Sequence, residues 1–132
     1  VRQLLGYDRY DDQRLVQAIN ELYIKAWLPL KNYYSPVMKL VSKQRIAGKV
    51  KKSYDQAKTP CDRLLESEHL SQEAKEKLRK TRAKLDPIEL SEQVEYYLRK
   101  IQDLRIEIEQ ERLNKANEIN LLLARNWNKR NT

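Results

Sequence analysis

The stretch from Asp86 to Trp127, "DPIELSEQVEYYLRKIQDLRIEIEQERLNKANEINLLLARNW", decides the fold class. Asp86 followed by Pro87 is a cap-then-proline start. The side-chain carboxylate can accept from the first free amides, and proline needs no amide donor at the first helical position. Beyond Pro87 the stretch holds neither Gly nor Pro. Leu90, Val94, Tyr97, Ile101, Leu104 and Ile108 recur at spacings of four and three, one apolar stripe of an α-helix. Forty helical residues rise about 60 Å. The stripe is a candidate core face or a candidate coiled-coil interface between copies. It blurs after Ile108, where Leu113, Ile119, Leu122 and Leu123 fall off register.

Working towards the N-terminus, the same cap logic recurs. Ser71 with Glu73 opens a helix that ends in Arg and Lys, as the helix dipole prefers, and Thr59 with Pro60 opens a shorter one. Further back, Leu15, Ile19, Leu22, Tyr23 and Ala26 repeat at helical spacing, with Asp11 or Asp12 as the cap. This helix is expected to run toward Tyr34. Pro29 should kink or end it near Trp27, and Pro36 excludes its continuation. The whole chain has only two Gly and four Pro in 132 residues. The expected class is mainly α: a helical hairpin or small bundle with a long C-terminal helix. The expected division is residues 1–58, a helix plus an arm, and residues 59–132, the later helices.

The arm is the exception to helix. "SPVMKLVSKQRIAGKVKKSYDQAKTP", Ser35 to Pro60, holds seven Lys and Arg against the single acid Asp55. Its partial alternation and Gly48 predict two short extended segments around an Ala47–Gly48 bend, a β-hairpin arm. The first 60 residues hold twelve basic and five acidic residues, a net +7 of the chain's +8. So local and one-signed an excess points to a polyanionic partner. Lys and Arg at this density neutralise phosphates and gain from counterion release. Lys39, Lys43, Arg45, Lys49, Lys51 and Lys52 are the candidate nucleic-acid contacts. Ser42, Ser53, Tyr33, Tyr34 and Tyr54 are further groups able to reach phosphates or stack on bases.

Other chemistries find little purchase. Cys61 and His69 alone cannot build a zinc site. "GKVKKS" lacks the spacing of a phosphate-binding loop. Asp8, Asp11 and Asp12 cluster without a His or Cys partner, and capping accounts for two of them. The chain is expected to need no metal, cofactor or small-molecule substrate. No apolar run approaches a membrane span, no signal peptide is visible, and a single Cys fits a reducing compartment.

The pieces "LGYDRYD" (Leu5 to Asp11), "NELY" (Asn20 to Tyr23), "PVMKL" (Pro36 to Leu40), "YDQAKTPCDRLLES" (Tyr54 to Ser67) and the Asp86–Pro87 helix start are distinctive together. Over about residues 1–105 the chain resembles the segment that follows the catalytic core in bacterial DDE-type integrases and transposases. The resemblance implies a parent enzyme that cuts and joins DNA with two Asp and a Glu holding divalent metal in an RNase H-like core. That core would lie upstream of Val1. No residue here matches the triad, so no catalytic residue is assigned and the chain alone is not expected to be an enzyme. It implies a role in holding DNA and organising subunits during transposition, in the bacterial cytoplasm.

Overall fold

The computed structural model describes residues 2–130. Along the chain these form α1 (Arg2–Leu5), α2 (Gln13–Leu22), a π-helical turn (Tyr23–Trp27), α3 (Leu28–Tyr34), β1 (Leu40–Ile46), β2 (Lys49–Tyr54), α4 (Pro60–Glu66), α5 (Gln72–Ala83) and α6 (Pro87–Arg130). The fold is mainly α, with one two-stranded antiparallel hairpin. The chain divides into two compact units: residues 1–21 with 96–132, and residues 22–95. The sequence-based division at residue 58 rests on composition, and the two units rest on contacts. Helices α2 and α6 each contribute residues to both units.

In the first unit, Leu5, Leu15, Ala18, Ile101 and Ile108 are buried. Gly6 ends α1 with φ +75, a left-handed conformation in which side chains are disfavoured. The Tyr10 hydroxyl donates to the Leu5 carbonyl at 2.6 Å and fixes the return of the chain. Asp12 caps α2, accepting from the Arg14 amide at 2.9 Å. The aspartates at 8, 11 and 12 are tethers. Asp8 pairs with Arg105, Asp11 with Arg9 and Arg112, and Asp12 with Arg14, which also grips Glu111 at 2.7 Å. The Arg112 guanidinium holds the Asp11 carboxyl below its ordinary range, and Arg14 does the same for Asp12. Carboxylates held ionised in this way suit ion pairing and are poor general acids.

In the second unit, Leu22, Ala26, Thr59, Cys61, Leu90 and Val94 are buried. Pro29 does not end its helix. The turn before it widens, with the Leu28 amide donating to the Tyr23 carbonyl, and α3 continues to Tyr34. A five-residue spacing relieves the clash between a proline ring and the carbonyl four residues back. Thr59 and Asp62 form a reciprocal capping box at the start of α4. Asp62 also accepts from Arg82 of α5 at 2.8 Å. The Arg82 guanidinium lies over the Tyr34 ring, and the Tyr34 hydroxyl sits 2.8 and 2.7 Å from the carbonyls of Arg82 and Leu85. One chain of polar contacts thus ties α3, α4 and α5. The Thr59 hydroxyl and then Arg82 hold the Asp62 carboxyl below its ordinary range.

The α6 stripe is spent inside the chain. Leu90, Val94, Ile101 and Ile108 are buried, and Tyr97 and Leu104 are half-buried. Within the chain it serves as a core face, with Tyr97 and Leu104 at its edge. Every residue from 109 to 130 is exposed, including Leu113, Ile119, Leu121, Leu122, Leu123 and Trp127.

Candidate nucleic-acid interface

The hairpin is built by a two-residue turn. Ala47 and Gly48 both have positive φ, +48 and +80, the signature of a type I′ turn whose twist matches the strands it joins. Opposite residues are Ser42 and Ser53, Lys43 and Lys52, Gln44 and Lys51, Arg45 and Val50, and Ile46 and Lys49. A register irregularity between Leu40 and Ser42 marks a bulge at Val41. The Ser42 and Ser53 hydroxyls hydrogen-bond across the strands at 2.7 Å.

Within β1 and β2 every residue but the half-buried Ser42 is exposed. Lys43, Arg45, Lys49, Lys51 and Lys52 all stand in solvent, and none makes a side-chain ion pair among the described residues. Lys43 and Lys52 face each other directly, a repulsive cross-strand pair. Two strands without a buried face are marginal in water. The strands are therefore held open to solvent, with uncompensated charge on them.

What holds the hairpin is its root. Val37 and Lys58 exchange backbone hydrogen bonds of 3.0 and 3.2 Å, and the Asp55 amide donates to the Lys39 carbonyl at 2.9 Å. The Asp55 carboxylate accepts the Lys39 amide at 2.5 Å and the Arg63 guanidinium at 2.7 and 3.2 Å. Arg63, on α4, donates also to the Val37 carbonyl at 2.8 Å. Arg63 and then the Lys39 amide hold the Asp55 carboxyl below its ordinary range. The one acid of the basic stretch is thus consumed in the clamp and neutralises none of the strand charges.

The six expected contacts therefore separate. Lys43, Arg45, Lys49, Lys51 and Lys52 come together on the strands, whereas Lys39 lies at the root beside Asp55. Lys58 pairs with Glu66 at 2.6 Å. Tyr34 is turned inward onto α5, and Tyr33 lines a small cleft with Pro60, Cys61 and Leu78. Of the three tyrosines only Tyr54 stays exposed. Sequence reasoning missed Arg63. Its signal was faint: a lone Arg one turn into the Thr59–Pro60 helix, eight residues after the only acid of the arm.

Burial pushes the Cys61 thiol above its ordinary pKa, which makes it a poor nucleophile. His69 is exposed in the turn between α4 and α5. Among the described residues no group of His, Cys, Asp and Glu could hold a metal ion. No helix among them is long and apolar enough to cross a membrane. An open concavity along α6 is lined by Tyr96, Arg99, Lys100, Asp103, Leu104 and Glu107. No protein-family model, curated protein or solved structure matches this chain.

Proposed function

We propose that the chain binds DNA through its basic hairpin, as the DNA-holding and subunit-organising region that follows the catalytic core of a DDE-type integrase or transposase. One observation supports DNA contact most directly. Five cations stand exposed and unpaired on a ribbon whose only acid is locked in the root clamp. Such charge gains by displacing counterions from a polyphosphate and has no counterpart within its own hairpin. Assignment to transposition rests on the resemblance of residues 1–105 to that enzyme group. On this reading the cutting and joining of strands belong to the parent's core.

The test is a salt titration. Replacing Lys43, Lys49 and Lys51 with Gln is expected to weaken binding similarly for two unrelated duplexes. Each lost phosphate contact reduces the slope of log affinity against log salt by about 0.9. An unchanged slope refutes the reading and leaves the charge as a solvated surface.

A second reading has its own observation. The distal part of α6 exposes Leu113, Ile119, Leu121, Leu122, Leu123 and Trp127, a surface suited to self-association. Sedimentation that shows a salt-insensitive dimer, abolished by Leu123→Asp, with no DNA affinity, favours this reading over the first.

A further inference from the structure

The register sorts the hairpin's charges onto two faces. Directly opposite residues share a face, and successive residues alternate. One face carries Ser42, Gln44 and Ile46 with Lys49, Lys51 and Ser53. The other carries Lys43, Arg45, Val50 and Lys52. The hydrogen bond between Ser42 and Ser53 agrees with this sorting. Two cations thus project from one face and three from the other. A ribbon laid flat on a single phosphate track would use one face and leave the other cations idle. Charge on both faces suits a slot with two anionic walls.

The dimensions match one such slot. Stacked sheets sit about 10 Å apart, which sets the scale of a ribbon's backbone with short side chains, and the longer Lys and Arg side chains reach beyond it toward flanking groups. The B-DNA major groove is about 12 Å wide and 8.5 Å deep, and it admits a two-stranded ribbon. From the Ser42–Ser53 pair to the Ile46–Lys49 pair is four steps, about 14 Å at 3.4 Å each, so the tip can reach the floor. The minor groove, about 6 Å wide, is too narrow. The major groove of A-form RNA is too narrow and deep for side chains to read. At the tip stand Ile46, Ala47 and Gly48, none of which has a hydrogen-bonding side chain. On this placement Lys49, opposite Ile46, is directed at the phosphate wall, and base edges at the floor would meet Ile46, Ala47 and the backbone at Gly48.

We propose that the hairpin enters the major groove of duplex DNA tip first, with Lys49 and Lys51 on one phosphate wall and Lys43, Arg45 and Lys52 on the other. This rests on the DNA-binding reading above and adds a duplex preference, a groove, and a reason for sequence tolerance.

The test compares wild type with two variants, Lys49→Gln/Lys51→Gln and Lys43→Gln/Arg45→Gln/Lys52→Gln. Probes are a 20-base-pair DNA duplex, its single strand, an RNA duplex of the same sequence, and the DNA duplex with bulky C5 substituents on its pyrimidines, which fill the major groove. Counterion release makes each phosphate contact worth up to about eightfold in affinity at 0.1 M salt. Both variants are expected to lose at least tenfold for the plain duplex, with unchanged melting. The single strand, the RNA duplex and the C5-substituted duplex should each bind wild type at least tenfold more weakly. If only one variant loses affinity, or any of those three probes binds as well as the plain duplex, groove entry is refuted while DNA contact stands. If neither variant changes affinity or salt slope, both readings fall.

Discussion

The hairpin's turn offers a measurement that isolates one backbone conformation. Ala47 sits at φ +48, where an L side chain crowds its own carbonyl at a cost of about 1–2 kcal/mol. Asn tolerates that region better, and Asn-Gly is the favoured pair for this turn. Ala47→Asn is therefore expected to stabilise the closed hairpin by about 1 kcal/mol, a fivefold change in its opening equilibrium. Gly48→Ala runs the other way. Nothing lies within 4 Å of a Cβ built at Gly48, so its cost comes from φ +80 alone. That cost is again about 1 kcal/mol. The hairpin buries no large side chain, so it should open locally, ahead of the helical parts. Hydrogen exchange of the amides of residues 42–53 reads this opening. It should slow about fivefold in Ala47→Asn and quicken about fivefold in Gly48→Ala, with Tm nearly constant in both. Unchanged exchange in Gly48→Ala would refute the turn assignment. A Tm drop as large as that of a core truncation would refute the hairpin's independence.

Two further outcomes follow from the helical parts. Leu15→Ala or Ile108→Ala, both at buried sites, should each cost about 2–5 kcal/mol and lower Tm by roughly 10 °C or more, whereas Leu113→Ala on exposed α6 should shift it little; thermal melts followed by circular dichroism decide, and equal effects would show that the burial pattern is wrong. The carboxyls of Asp55 and Asp62 are both depressed in the folded chain. Their contribution is complete above the unfolded aspartate value of about 4 and is lost as pH falls through the lower folded values. Tm should stay level from pH 7 to 5 and decline below about pH 4, and Asp55→Asn/Asp62→Asn should flatten that decline while lowering Tm at pH 7.

What the sequence determined by itself was local. The caps at Thr59, Ser71 and Asp86, the end of the first long helix before Pro36, and the bend at Ala47–Gly48 each depend on residues within one turn of one another. Neighbouring dihedrals and nearby donors decide such features, so composition and spacing suffice to find them. The exposed strand cations were legible for a related reason: a run without acids has nothing nearby to pair with. Tertiary structure decided whatever rests on partners far apart in the chain. The α6 stripe serves equally for a core or for a second copy until the fold covers it, because periodicity names the apolar face and not its occupant. Arg14 meets Glu111 across 97 positions, and Arg112 meets Asp11 across 101, which turns a candidate acid cluster into a set of tethers. Arg63 reaches Asp55 and Val37 only because the Thr59–Pro60 cap aims α4 back at the hairpin's root. No spacing rule encodes that meeting, since ion pairs form by approach in space, and it is this contact that leaves the strand charges without a neutralising acid.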